Sequence, residues 1–385
     1  MVGIDTVTLT LKNSDFAMFE PSRFTPNATR IIKAGSEDMG KSRFMRAVCN
    51  PTKQDTATFG YLPYLTLYKA LRAGGFVTEL RIQFSAPKLM YGNNFDELCA
   101  KDFDRTCERL LDALNYYGVK VYGGTQTIAA AQVAVMHYAK NFALTNYMTA
   151  RQAITELQKC NVNAWQDVSK TDYLDNGAGY KTHSKSRELA FYDKLAEHRK
   201  NQRGQATFDA DQQLQFDLFG NHDIKQPFEV LRMEIRLGSG RAIKSALGSA
   251  GLPTDEITFA TLFSPSYSQR ILTHQLSVLY NNYPKITEAS APSITELFSS
   301  LYIQNPRRNL STIVNAIGLY TLSQHIGLRG AKDIVGSRGS AALTRLVKRT
   351  NHELQYATEK SEVFEVLQNG LHEFTPLHLK DFENC

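Results

Sequence analysis

The chain has 385 residues, 42% of them hydrophobic and 21% charged, with 44 Lys and Arg against 38 Asp and Glu for a net charge of +6. These are the proportions of a folded globular protein of about two domains, and they exclude a disorder-dominated chain. Five cysteines, Cys49, Cys99, Cys107, Cys160 and Cys385, form no CxxC pair, which excludes both a disulfide framework and a zinc ribbon.

The opening segment, MVGIDTVTLTLK, alternates like a strand, with Val7, Leu9 and Leu11 on one face. It lacks the basic head and long apolar core of a signal peptide, and no run approaches the ~18 apolar residues of a membrane span. With the unpaired cysteines, this predicts a cytoplasmic protein without membrane attachment. In VTELRIQFS the alternation returns, as Thr78, Leu80, Ile82 and Phe84. Residues 100–116 carry Phe103, Cys107, Leu110, Leu111 and Leu114 at helical spacing. The run TIAAAQVAVMHYAKNF reads as a central strand buried on both sides, and residues 149–159 as a helix. Next, SRELAFYDKLAE is a short alternating run to Tyr192 that turns into a charged helix at Asp193. In VLRMEIRLG, Leu231, Met233, Ile235 and Leu237 share one strand face, and Arg232, Glu234 and Arg236 share the other.

Beyond Gly238 the character becomes helical, around residues 241–247, 256–262, 268–281, 293–301, 310–325 and 341–355. The punctuation GLPTD marks a boundary, giving a domain over residues 1–252 and a helical one over 253–385. The expected fold class is α+β: a largely antiparallel sheet with packed helices, followed by a helical C-terminal domain.

Tyr192 is a candidate nucleophile for a phosphodiester, with Lys194 as a cationic partner, since a phenol of pKa about 10 needs positive charge nearby. Arg187, Arg199 and Lys200 would hold the DNA backbone. A tyrosine at a strand end is far more often a packing residue than a nucleophile. Glu234 is a candidate ligand for Mg²⁺ or Mn²⁺, with Arg232 and Arg236 beside it as phosphate contacts. The competing reading of these three is a cross-strand ion-pair ladder. His137 is a second candidate ligand or acid–base group, or else a core histidine, and Lys140 just beyond it could touch phosphate. Near the C-terminus, two predicted helices flank a turn containing Gly327, Gly330, Gly336 and Gly339, as in a helix-turn-helix with a long connection. On the second of them Arg345, Lys348 and Arg349 form a cationic face, for DNA or simply for solvent. There is no GxxxxGK[ST], no HExxH and no GxSxG, and the histidine–hydrophobe–histidine clamp of many rolling-circle nickases is missing too.

In order along the chain, MVGIDTVTLTLK, FSAPKLMYGNN, SRELAFYDKLAE and LRMEIRLGSGRAIKSALGSAGLP resemble the replication initiators of filamentous phages, with a weaker likeness over residues 315–349. A more distant likeness is to the initiators of Gram-positive rolling-circle plasmids. The resemblance implies a nicking enzyme that stays on the 5′ phosphate of double-stranded replicative DNA while a host polymerase extends the 3′ hydroxyl. A host helicase, single-stranded origin DNA and self-association on the origin belong to the same expectation. Tyr192 takes the nucleophile position, Lys194 its partner and Glu234 a metal-ligand position. Related initiators often carry an acidic residue on the central strand, where this chain reads Gln132 to His137. Either His137 supplies the ligand from a shifted position or the metal is held differently. A conjugative relaxase and a non-catalytic origin- or operator-binding protein remain as alternatives.

Overall fold

The structure is a computed structural model, and it describes residues 1–39, 44–72, 75–144, 148–158, 173–174, 179–183, 186–195, 197, 229–281, 293–354, 362–378 and 381. Its strands are β1 (Ile4–Lys12), β2 (Phe16–Met18), β3 (Phe44–Cys49), β4 (Tyr64–Arg72), β5 (Gly75–Ser85), β6 (Val119–Val121), β7 (Gln132–Leu144), β8 (Tyr173–Leu174), β9 (Gly179–His183), β10 (Arg187–Asp193) and β11 (Glu229–Leu237). Nine of them form one sheet in the order β3-β4-β5-β1-β7-β11-β10-β9-β8, every neighbouring pair antiparallel. The α+β expectation is borne out.

Alternation decides which face of this sheet is covered. Val7, Leu9 and Leu11 of β1, Leu80, Ile82 and Phe84 of β5, and Met233, Ile235 and Leu237 of β11 are all buried in one core. The helix Phe103–Tyr116 adds Cys107, Leu110, Ala113 and Leu114 to it, the stripe that its spacing predicts. Gly240–Ser249, Pro265–Asn281 and Glu362–Glu373 join the same core through Ile243, Leu272 and Phe364. The other face of β7, β10 and β11 carries the polar residues.

Three local expectations differ from what forms. The apolar run around residue 130 divides: Thr125–Ala130 is a helix, as its alanines favour, and β7 starts at Gln132. Of the helix expected over 256–262 only Phe259–Leu262 forms, because the backbone at Ile257 and Phe259 bonds to Val133 and Ala131 instead. The glycine-rich stretch is not a turn. After Gly327, itself at positive φ, the stretch to Glu353 is helical except at Gly336, where φ 62° and ψ −167° break it, so the helix Leu310–His325 is followed by two helical segments.

A second, smaller core contains Leu297, Leu301, Ile313, Leu319, Leu328 and Val347. The helical region expected from residue 253 is therefore shared out: Pro265–Asn281 and Glu362–Glu373 pack with the sheet, and the helices between them make the second core. Among the described residues no helix is long and apolar enough to cross a membrane.

Candidate catalytic and metal site

The register of the three central strands builds the site. Glu234 on β11 lies between Ala190 on β10 and Ala139 on β7, so small side chains flank its carboxylate on both sides. One step away along the neighbouring strands stand Tyr192, paired with Arg232, and His137, paired with Arg236. All share the polar face, because residues two apart on a strand point the same way.

Glu234 is 2% exposed and fully engaged. Its Oε2 accepts from the Tyr192 hydroxyl at 3.0 Å and from Arg236 Nη2 at 3.1 Å. Its Oε1 accepts from Arg236 Nε at 2.8 Å and lies 3.3 Å from His137 Nδ1. Burial alone would raise the carboxyl's pKa. The hydrogen bonds from His137 and Arg236, with the charges of Arg236 and Arg232, outweigh it and hold Glu234 well below the usual carboxylate range. Tyr192 moves the other way: burial first, then the Glu234 charge, push its phenol well above its ordinary value of 10.0.

Arginines on either side tie this centre to further acids. Arg236 Nη1 donates to Glu188 Oε1 at 2.7 Å, and Glu188 Oε2 is 3.0 Å from His183 Nδ1. Arg232, 3% exposed, reaches Asp5 Oδ1 through Nη2 at 2.6 Å and the Asn94 carbonyl through Nη1 at 2.9 Å. Asp5, His137 and Glu234 each offer one ligand atom, and these atoms all lie within 4.8 Å of one another. Two carboxylates and an imidazole are a donor set that suits a divalent cation.

Tyr192, Glu234, His137, Arg232 and Arg236 are thus brought together. Lys194 lies beside them at the start of the segment after β10, its Nζ 5.7 Å from the centre of the Tyr192 ring and 2.7 Å from Glu197 Oε2. Burial pulls its pKa down, and Glu197 partly restores it. Lys140 is elsewhere: it points from β7 to the helix-covered face, 3% exposed, with Nζ 2.8 Å from Glu97 Oε2 and 2.9 Å from the Thr375 carbonyl. Arg187 is also on that face, paired in register with Leu237 and donating to Ser245 Oγ at 3.1 Å. Arg199 and Lys200 fall outside the described residues. Arg345, Lys348 and Arg349 are exposed on the last segment of Gly327–Glu353, where Arg349 Nε pairs with Glu353 at 2.9 Å.

Asp5 is the residue that sequence reasoning missed. Strict alternation from Val7 assigns it to the apolar face, but the β1–β7 register shifts between Ile4 and Val7 and turns it to the polar one. No local feature of the sequence marks that shift. β7 itself carries no acid, and β1 brings this carboxylate to within reach of His137 and Glu234.

Residues 66–249, just under half of the chain, match the phage CRI family, described as the N-terminal part of a replication-associated protein of the gene-two type, and this match supports a phage replication initiator. The match spans His137, Tyr192, Lys194 and Glu234 and bears out the resemblance to filamentous-phage initiators. No curated protein and no solved structure matches the chain.

Proposed function

We propose that this protein initiates rolling-circle replication by nicking one strand of double-stranded replicative DNA at the origin, with Tyr192 as nucleophile. The observation that carries this reading is the Tyr192 hydroxyl held 3.0 Å from Glu234, the residue that also faces Asp5 and His137. In the step, the Tyr192 oxygen bonds to the scissile phosphorus and the bond to the 3′ oxygen breaks. The phenol proton leaves toward Glu234 Oε2, its hydrogen-bond acceptor, and the departing 3′ oxygen takes a proton from solvent water to become a hydroxyl. The 5′ phosphate stays on Tyr192, which preserves a bond from which the product strand is later religated.

Asp5, His137 and Glu234 would hold Mg²⁺ or Mn²⁺, which when bound stabilises charge on the phosphate oxygens. Arg236 keeps the Glu234 carboxylate oriented, and Lys194 supplies positive charge beside the phenol ring. Arg232 anchors Asp5 in the triad. In this reading residues 1–252 carry out the nicking. The exposed Arg345, Lys348 and Arg349 in the helical region 253–385 contact origin phosphates, a host polymerase and helicase extend and unwind the nicked strand, and copies of the protein assemble on the origin.

The test is a supercoiled plasmid carrying the cognate origin, with Mg²⁺, followed by mass spectrometry of the protein. The parent relaxes the plasmid and gains the mass of the attached strand at Tyr192. Tyr192→Phe does neither while binding DNA as before. An adduct that persists in the variant, or that maps to Tyr180, overturns the assignment.

A further inference from the structure

We propose that Asn141 is a positioning residue of the nicking centre: together with the loop 93–97 it fixes the Arg232 guanidinium, and through it the Asp5 carboxylate. This rests on the nicking reading above, in which Asp5 helps to hold the cation, and adds what keeps Asp5 in place. Asp5 needs such a hold. It lies within the register shift between Ile4 and Val7, where β1 has no register partner on β7, so the ladder does not set its direction. Arg232 supplies the restraint from two strands away, donating from Nη2 to Asp5 Oδ1 at 2.6 Å.

Arg232 is itself held from behind. Its Nη1 donates to the Asn94 carbonyl at 2.9 Å and to Asn141 Oδ1 at 3.3 Å. Asn141 is the register partner of Arg232 on β7 and is wholly buried. It also ties the loop to the strand, because its Nδ2 donates to the Phe95 carbonyl at 2.8 Å. Its backbone N–H donates to Glu97 Oε1 at 2.6 Å, and Glu97 Oε2 accepts from the Leu377 N–H at 2.9 Å, so a segment near the end of the chain closes the same network. A buried amide costs free energy that an apolar residue of the same size would not. The Arg232 Nε–H is buried too, and it has no hydrogen-bond partner among the described residues, which is a further cost. The guanidinium is thus placed by its two Nη groups, with Nε left over, in an orientation that meets Asp5, Asn94 and Asn141 together. Asn141 bonds to Arg232, Phe95 and Glu97, so its influence on the triad runs through Arg232. Partners of this outer kind orient metal ligands.

The experiment uses the full chain with isotope-labelled arginines for NMR, and Asn141→Leu, which keeps the volume of the side chain. In the parent the clamped Arg232 should give separate, slowly exchanging Nη–H signals. A single averaged signal there overturns the proposal without any variant. In Asn141→Leu the signals should merge, and Mn²⁺ affinity of the DNA-free protein, by calorimetry, should fall about ten-fold. Nicking should fall alike at limiting Mn²⁺ and recover at saturating Mn²⁺, with origin affinity unchanged. Signals that stay separate in the variant, or Mn²⁺ affinity like the parent's, make Asn141 a packing residue and overturn the proposal. Lys140→Met, which breaks another bond to Glu97, is the control. It should melt lower yet bind Mn²⁺ like the parent; an equal loss of affinity there would mean general loosening and overturn the proposal too. A parent that binds no Mn²⁺ sinks the metal role of Asp5 in the nicking reading, while the Arg232 signals still decide for or against Asn141.

Discussion

The Tyr192 hydroxyl donates a hydrogen bond to Glu234 Oε2 at 3.0 Å. It fixes the direction of the phenolic oxygen, and it places a negative charge where it opposes ionisation of the phenol. The resting tyrosine is therefore a neutral, aimed hydroxyl. In the proposed step Glu234 Oε2 takes the phenol proton, so transfer runs along this same hydrogen bond.

Glu234→Gln keeps the shape and removes the charge. Nicking in single-turnover assays should fall by about 10²–10³-fold or more. Because Arg236 and Arg232 lose the acid between them, stability should fall by about 3 kcal/mol. The pH dependence follows from the sign of the shift. Glu234 is held well below its ordinary value of 4.5, so its contribution is fully present above that value and is lost as pH falls through the depressed folded value. Melting temperatures of the parent should drop through that acid window, and the Gln variant should lack this part of the slope. Superimposable acid profiles would remove Glu234 from the account.

Asp5→Asn tests the triad without touching the tyrosine. Calorimetric titration of the DNA-free protein with Mn²⁺ should show affinity reduced by about ten-fold or more. Undiminished affinity would leave Asp5 only as the partner of Arg232.

Lys140→Met separates structure from DNA contact. The lysine and Glu97 are 2.8 Å apart, both nearly buried, and breaking such a pair costs about 3 kcal/mol. A lowered melting temperature is expected, with origin affinity and its salt dependence unchanged in the folded protein. A reduced salt slope would show that Lys140 reaches phosphate after all.

Replacing Arg345, Lys348 and Arg349 together by alanine should weaken origin binding and flatten its salt dependence by up to about three units of slope. The pair between Arg349 and Glu353 is at the surface, so melting should barely move. An unchanged slope would assign this face to solvent.

Burial pushes the Cys49 thiol up to about 11 and the Cys107 thiol up to about 12. Both should therefore resist iodoacetamide at pH 8 in the folded protein and react only after denaturation, read by peptide mass. Rapid labelling of either in the native state would mean that this part of the core opens readily.

Period-two alternation carried the site as far as it did. It separates Glu234 from Met233 and Ile235, and the burial of those apolar neighbours fixes the carboxylate's direction. The same period places Arg187 with Leu189 and Phe191, and Lys140 with Tyr138 and Phe142, away from Tyr192. Charge alone was a poorer guide than parity for those two. Asp5 was illegible for the opposite reason, since a register shift is set by pairing with β7 and leaves no local mark. The glycine-rich stretch misled through composition: Gly327 and Gly336 have positive φ, whereas Gly330 and Gly339 sit within helix.

The support under β7 comes from far along the chain. The Tyr138 hydroxyl donates to the Leu262 carbonyl at 3.3 Å, and the Gly3 N–H to Ser268 Oγ at 3.2 Å. Gly370 packs so closely on Phe142 that an added Cβ would come within 2.7 Å of the ring. A nascent chain emerging from the ribosome can therefore pair β1, β5 and β7 early, but it leaves the apolar side of β7 only partly covered until residues beyond 370 have been made. Over that interval the half-built sheet is exposed to aggregation. A translation stop placed after the matched stretch, near residue 249, would make that exposure permanent.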